Sequence, residues 1–121
     1  MRQFELKRTL FGADITAQIA VLDEGVQVSV FGGTRSHIGA VSVVSFQGEI
    51  TTRQFPTHKD GVVSERWART LSEAGCRPAV VTAGIHYDHL SQKQIAEVVE
   101  LTDGMLSELL CLLREADIEA G

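Results

Sequence analysis

Val26, Val28 and Val30 alternate with Gln27 and Ser29, so a strand over this run buries one face and wets the other. Ile15, Ala17, Ile19 and Val21 alternate in the same way with Thr16, Gln18 and Ala20. Asp23-Glu24-Gly25 between the two runs predicts a hairpin turn, with the glycine at positive φ. Phe4, Leu6 and Leu10 predict an earlier strand that turns at Phe11-Gly12-Ala13. A fourth strand is expected from Ala40 to Phe46. It turns at Gln47-Gly48 and returns as Glu49 to Phe55, with Pro56 closing the run. These runs together read as an antiparallel meander of about five strands.

The period then changes. Val63, Trp67, Thr70, Leu71 and Ala74 share one face of a helix, with Asp60 at the N-cap and Gly75 at the left-handed C-terminal position. Pro78 precedes Ala79-Val80-Val81-Thr82-Ala83, a strand apolar enough to be central. Ser91-Gln92-Lys93-Gln94 is a capping box. It opens a long helix striped by Ile95, Val98, Val99, Thr102, Met105, Leu106, Leu109, Leu110 and Leu113. The order of elements predicts an α+β fold: the meander, then α-β-α, with the helices packed on one sheet face. The leucine stripe reads either as cover for the sheet or, being wider than a small sheet face needs, as carrying a surplus for a homodimer contact.

A chain of 121 residues has the length of one domain, so residues 1–121 are expected to form a single domain. The charge is uneven. Residues 91–121 carry seven acids against Lys93 and Arg114, and the rest of the chain is balanced, for a net charge of -5. No basic field is available to neutralise phosphates of a nucleic acid, and no basic amphipathic helix or long apolar run suits a membrane. Two cysteines, Cys76 and Cys111, make no disulfide framework, so the expected compartment is the cytoplasm. Both are read as buried.

The chemistry gathers around the four histidines, each of which falls between predicted elements, where functional side chains concentrate. His37 ends the segment Gly32-Gly33-Thr34-Arg35-Ser36, His58 precedes the first helix, and His86 and His89 flank Tyr87-Asp88. Glycines allow close backbone approach to an anion, Thr34 and Ser36 offer hydroxyls and Arg35 a forked charge. The Gly32–Gly39 segment can therefore cradle a phosphate, although it is neither a Walker loop nor a dinucleotide fingerprint. Imidazoles and carboxylates also suit divalent metals, with His37, His58 and His86 as candidate ligands. A metal site of that kind requires the three to converge.

The pieces Ser36-His37-Ile38-Gly39-Ala40-Val41, Pro56-Thr57-His58-Lys59-Asp60 and Ala83-Gly84-Ile85-His86-Tyr87-Asp88 resemble the small prenylated flavin chaperone family. Its members are the D component of gallate-type decarboxylase systems. The middle segment has Thr57 where Gly-His-Lys is expected. The resemblance implies a non-catalytic carrier that binds prenylated FMN and delivers it to a prenylated-FMN-dependent decarboxylase. On that reading the phosphate is expected at Gly32, Gly33, Arg35, Ser36, His37 and Gly39 with Lys59. The ring is expected near Ile38, Ile85, His86 and Tyr87, His58 and Asp88 are also expected to bind the cofactor, and a divalent metal would bridge phosphate to histidine. Two other readings stand beside it. One is a small metal-dependent enzyme acting on a phenolic or phosphorylated substrate, and the other is a structural assembly factor.

Overall fold

The alternating runs become strands in a computed structural model of the chain. The structure describes residues 1–56 and 60–120, with side chains through Glu115. The strands are β1 (Arg2–Leu10), β2 (Ala13–Val21), β3 (Val26–Gly33), β4 (Ala40–Val44), β5 (Ile50–Gln54) and β6 (Ala79–His86). The helices are α1 (Gly61–Glu73) and α2 (Gln92–Ala120). The expected α+β class holds, with one six-stranded, mostly antiparallel open sheet. Two compact units divide the chain, Met1–His89 and Leu90–Gly121.

The meander is interrupted. The sheet order is β1-β2-β3-β6-β4-β5, so β6 enters between the third and fourth strands. It runs parallel to β3 and antiparallel to β4. Its composition explains the place: Ala79, Val81 and Ala83 are almost fully buried, as befits a strand with neighbours on both sides. Both β3 and β6 run further than the alternation alone predicts, and Gly33 pairs with His86. His86 therefore ends a strand instead of lying in a loop.

The covered face carries Ile15, Ala17, Ile19, Val28, Val30, Ala40, Val44 and Val81, none more than 2% exposed. Helix α1 packs over β4, β5 and β6 on this face. Its buried stripe is Gly61, Ser64, Trp67, Ala68, Leu71 and Ser72, rotated from the expected one, and Ala74 is exposed. Hydroxyls make that rotation tolerable. Ser64 Oγ lies 2.8 Å from Ser42 Oγ and Ser72 Oγ donates to the Gly48 carbonyl, so these two buried hydroxyls are satisfied. Helix α1 ends as predicted, with Gly75 at φ 83° and bonds from Gly75 N–H to Ser72 and from Cys76 N–H to Leu71.

The capping box of α2 forms in both directions: Ser91 N–H reaches Gln94 Oε1 and Gln94 N–H reaches Ser91 Oγ. Within α2, Val98, Thr102, Met105, Leu106, Leu109 and Leu113 are buried, whereas Ile95 and Val99 are exposed. Cys76 is half-buried and Cys111 exposed, against the expectation for both: each lies off the buried face of its neighbourhood. Among the described residues, no helix is long and apolar enough to cross a membrane.

Candidate functional site

The site is built where β3 leaves the sheet, β6 ends and α1 begins. Gly32 and Gly33 have φ of 141° and 81°, and each is pressed against backbone. A Cβ at Gly32 would strike the Asp14 carbonyl oxygen, and one at Gly33 the His86 carbonyl oxygen. Thr34 then binds that same His86 oxygen twice, through its N–H at 2.8 Å and its hydroxyl at 3.2 Å. The glycines are thus explained by crowding between strands. The N–H groups of Thr34 and Gly39 are also already taken, the second by the Ala83 carbonyl. What the segment offers outward is Arg35 and Ser36, both exposed, and Ile38, 63% exposed.

His37 is turned inward. Its Nε2 lies 2.8 Å from Oδ2 of Asp60, a buried carboxylate at the entrance of α1. The other oxygen of Asp60 accepts the Ile85 N–H at 3.0 Å. One side chain thereby ties the β3–β4 connection, the start of α1 and the end of β6. Asp60 does hold the predicted N-cap position, but its side chain makes no capping bond. Two more glycines permit the closure. A Cβ at Gly84 would strike the His37 carbonyl, and one at Gly39 would strike Asp60 Oδ2.

His86 stands beside this pair, its ring centroid 6.4 Å from that of His37 and edge-on to it. Its Nε2 lies 2.9 Å from Oδ1 of Asp88, in a much more open setting. The fold therefore brings two of the predicted imidazoles together, each with a carboxylate. His58 and Lys59 lie outside the described residues. His89 is exposed, with φ of 53°. Tyr87 is buried and faces the β1–β2 turn, with its hydroxyl donating to the Ala13 carbonyl and its ring edge-on to Phe11. Burial, with the Asp14 carboxylate second, raises the Tyr87 pKa above the ordinary phenol value.

Among the described residues, no group of three His, Cys, Asp or Glu side chains is arranged to hold a metal. A hollow of about 550 Å³ lies elsewhere, lined by Gln3, Glu5, Gln18, Gln27 and Ser29 among others, and no histidine borders it. Asp60 is the residue of this cluster that sequence reasoning read only as a helix cap. Its capping position concealed its use, although its place two residues after His58 was a signal.

Protein LpdD of Lactiplantibacillus plantarum is 29% identical over 114 residues, covering 90% of this chain and 84% of that one. A chain from the crystal structure of a chaperone complex for yeast 20S proteasome assembly shares the fold, with a TM-score of 0.51 and 18% identity. The match covers 95% of this chain and 98% of that one. The prenylated flavin chaperone LpdD-like domain matches residues 10–114, and the chain belongs to that family.

Proposed function

We propose that this protein binds prenylated FMN beside His37 and His86 and hands it to a prenylated-FMN-dependent decarboxylase, without chemistry of its own. The observation that carries the reading is the convergence of these two imidazoles, from segments far apart in sequence, in a chain of this family. The donor set suits such a ligand. Exposed Arg35 and Ser36 offer a forked charge and a hydroxyl to a phosphate, and exposed Ile38 offers apolar cover to a ring. His58 and Lys59, just before Asp60 in the chain, belong to the same reading. So do action as one domain over residues 1–121, a homodimeric state and a cytoplasmic location. A divalent metal between phosphate and imidazole would add charge neutralisation.

The test is co-production with a flavin prenyltransferase. The purified protein should carry a chromophore, and His37→Ala or His86→Ala should release it. Added reduced prenylated FMN should raise stability by ~3–4 kcal/mol at a hundred- to thousand-fold excess over Kd. Colourless protein with an unmoved melting temperature would refute the proposal. Stoichiometric metal with no flavin affinity would favour a metal-dependent enzyme instead.

A further inference from the structure

The sheet has a second face, and its two halves differ. One row across the six strands runs Glu5, Gln18, Ser29, Thr82, Val41 and Arg53. The next row of the same face holds Ala20 on β2 and Val43 on β4. On the β1–β3 half the hollow of about 550 Å³ opens beside the small Ala20 side chain, between Glu5, Gln18 and Gln27. On the β4–β5 half Val43 stands 43% exposed, and Arg53 on the neighbouring strand is exposed as well. One half is recessed and acidic, and the other presents an apolar side chain and a base.

We infer that this face receives a second copy of the chain, stacked sheet on sheet about a two-fold axis that runs along the strands between β3 and β6. The inference gives a surface to the homodimeric state proposed above, and its bearing on the cofactor rests on that reading. Such an axis lays the partner's β4 over β2 and the partner's β5 over β1. The partner's Val43 then enters the hollow at Ala20 and the partner's Arg53 meets Glu5, each contact made twice. A two-fold across the strands would instead lay every strand on its own copy, hollow against hollow. Within its own chain Glu5 has Lys7 Nζ at 3.9 Å and Gln18 Nε2 at 3.5 Å, and the partner's Arg53 would add a forked donor to them. At the axis the hydroxyls satisfy each other, with Thr82 donating to Ser29 at 3.1 Å.

The candidate site lies at one end of this face. His86 follows Thr82 by four residues along β6 and so shares its side of the sheet, next to the axis. The His37 segment crosses above Gly84, where a Cβ would strike the His37 carbonyl, and holds the two sheets apart there. A cleft between the copies follows, with one His86 on each wall.

Crosslinking reads the pairing directly. Ala20 and Val43 lie three strand spacings apart within one chain, about 14 Å, beyond the reach of a disulfide. Ala20→Cys combined with Val43→Cys, in a Cys111→Ser background, should therefore form a covalent dimer on mild oxidation, and neither change alone should do so. Val43→Glu brings a carboxylate beside Glu5 and should weaken dimerisation about a hundredfold in sedimentation velocity. Arg53→Glu should weaken it about tenfold, and Glu5→Arg in the same chain should recover most of that loss. Monomeric Val43→Glu should also hold less prenylated FMN than wild type, and equal loading would overturn the shared cleft. A dimer that ignores Val43→Glu, or that never crosslinks, overturns this surface alone. A wild type that sediments as a monomer overturns the surface and the homodimeric state together. Chromophore bound to the same wild-type samples decides the flavin reading separately.

Discussion

Two histidine–carboxylate pairs stand side by side in this protein, with nearly equal contact distances of 2.8 and 2.9 Å and opposite surroundings. In the inner pair the His37 and Asp60 side chains are 16% and 9% exposed; in the outer pair His86 and Asp88 are 44% and 69% exposed. The inner carboxylate has a second partner in Ile85 N–H and is walled by Gly39. The outer pair joins residues two apart in sequence and faces water. Contact length says little about what an ion pair contributes. A buried carboxylate stripped of a partner is costly, whereas an exposed pair contributes about 0–1 kcal/mol. The inner pair is held by the fold, and the outer one stands open to solvent.

The largest expected effect comes from Gly84→Ala, which would drive a methyl group into the His37 carbonyl. Backbone stands on both sides of the clash, so a loss of about 3 kcal/mol in urea unfolding is expected, at the upper end for overpacking. A loss below about 1 kcal/mol would mean the strands do not approach this closely. Next comes Asp60→Ala, which takes the acceptor from Ile85 N–H and the carboxylate from His37 Nε2 and should cost about 2–4 kcal/mol. Asp88→Ala in the outer pair should stay within about 0.5 kcal/mol, measured the same way. Equal costs would abolish the distinction between the pairs.

An effect between the last two in size concerns Tyr87, just beyond the outer histidine. Its raised pKa means the folded protein holds the phenol proton more tightly than the unfolded chain does. That contribution is complete below the unfolded value near pH 10 and disappears as pH rises through the folded value. Stability should therefore fall above about pH 10, and Tyr87→Phe should flatten the decline. Near neutral pH the same substitution removes one 3.3 Å hydrogen bond to Ala13 and should cost about 0.5–1 kcal/mol in thermal unfolding.

Much of the local structure was legible because local chemistry dictates it. Asp23-Glu24-Gly25 makes its turn, with Leu22 N–H bonded to the Gly25 carbonyl and Gly25 at φ 104°. Gly75 ends α1, and Ser91 and Gln94 cap α2. The insertion of β6 was not legible, because alternation shows which face of a strand is buried but not which strand lies beside it. The stripe of α1 was misplaced for a related reason: Ser64 and Ser72 read as solvent-facing until Ser42 and the Gly48 carbonyl supply their partners. At the site, the histidine segments were legible from composition. Asp60 was not, since a residue with a sufficient local explanation does not advertise a long-range one.

The place of β6 has a consequence for how the chain is made. β1–β3 and β4–β5 touch each other in the sheet only through it, since β3 pairs with β2 and β6, and β4 with β5 and β6. Until residues 79–86 are made, β3 and β4 each lack the strand that pairs their inner edge, and the N–H and C=O groups there have no ladder partner. The apolar strand that joins them arrives late, across a long loop that folds slowly.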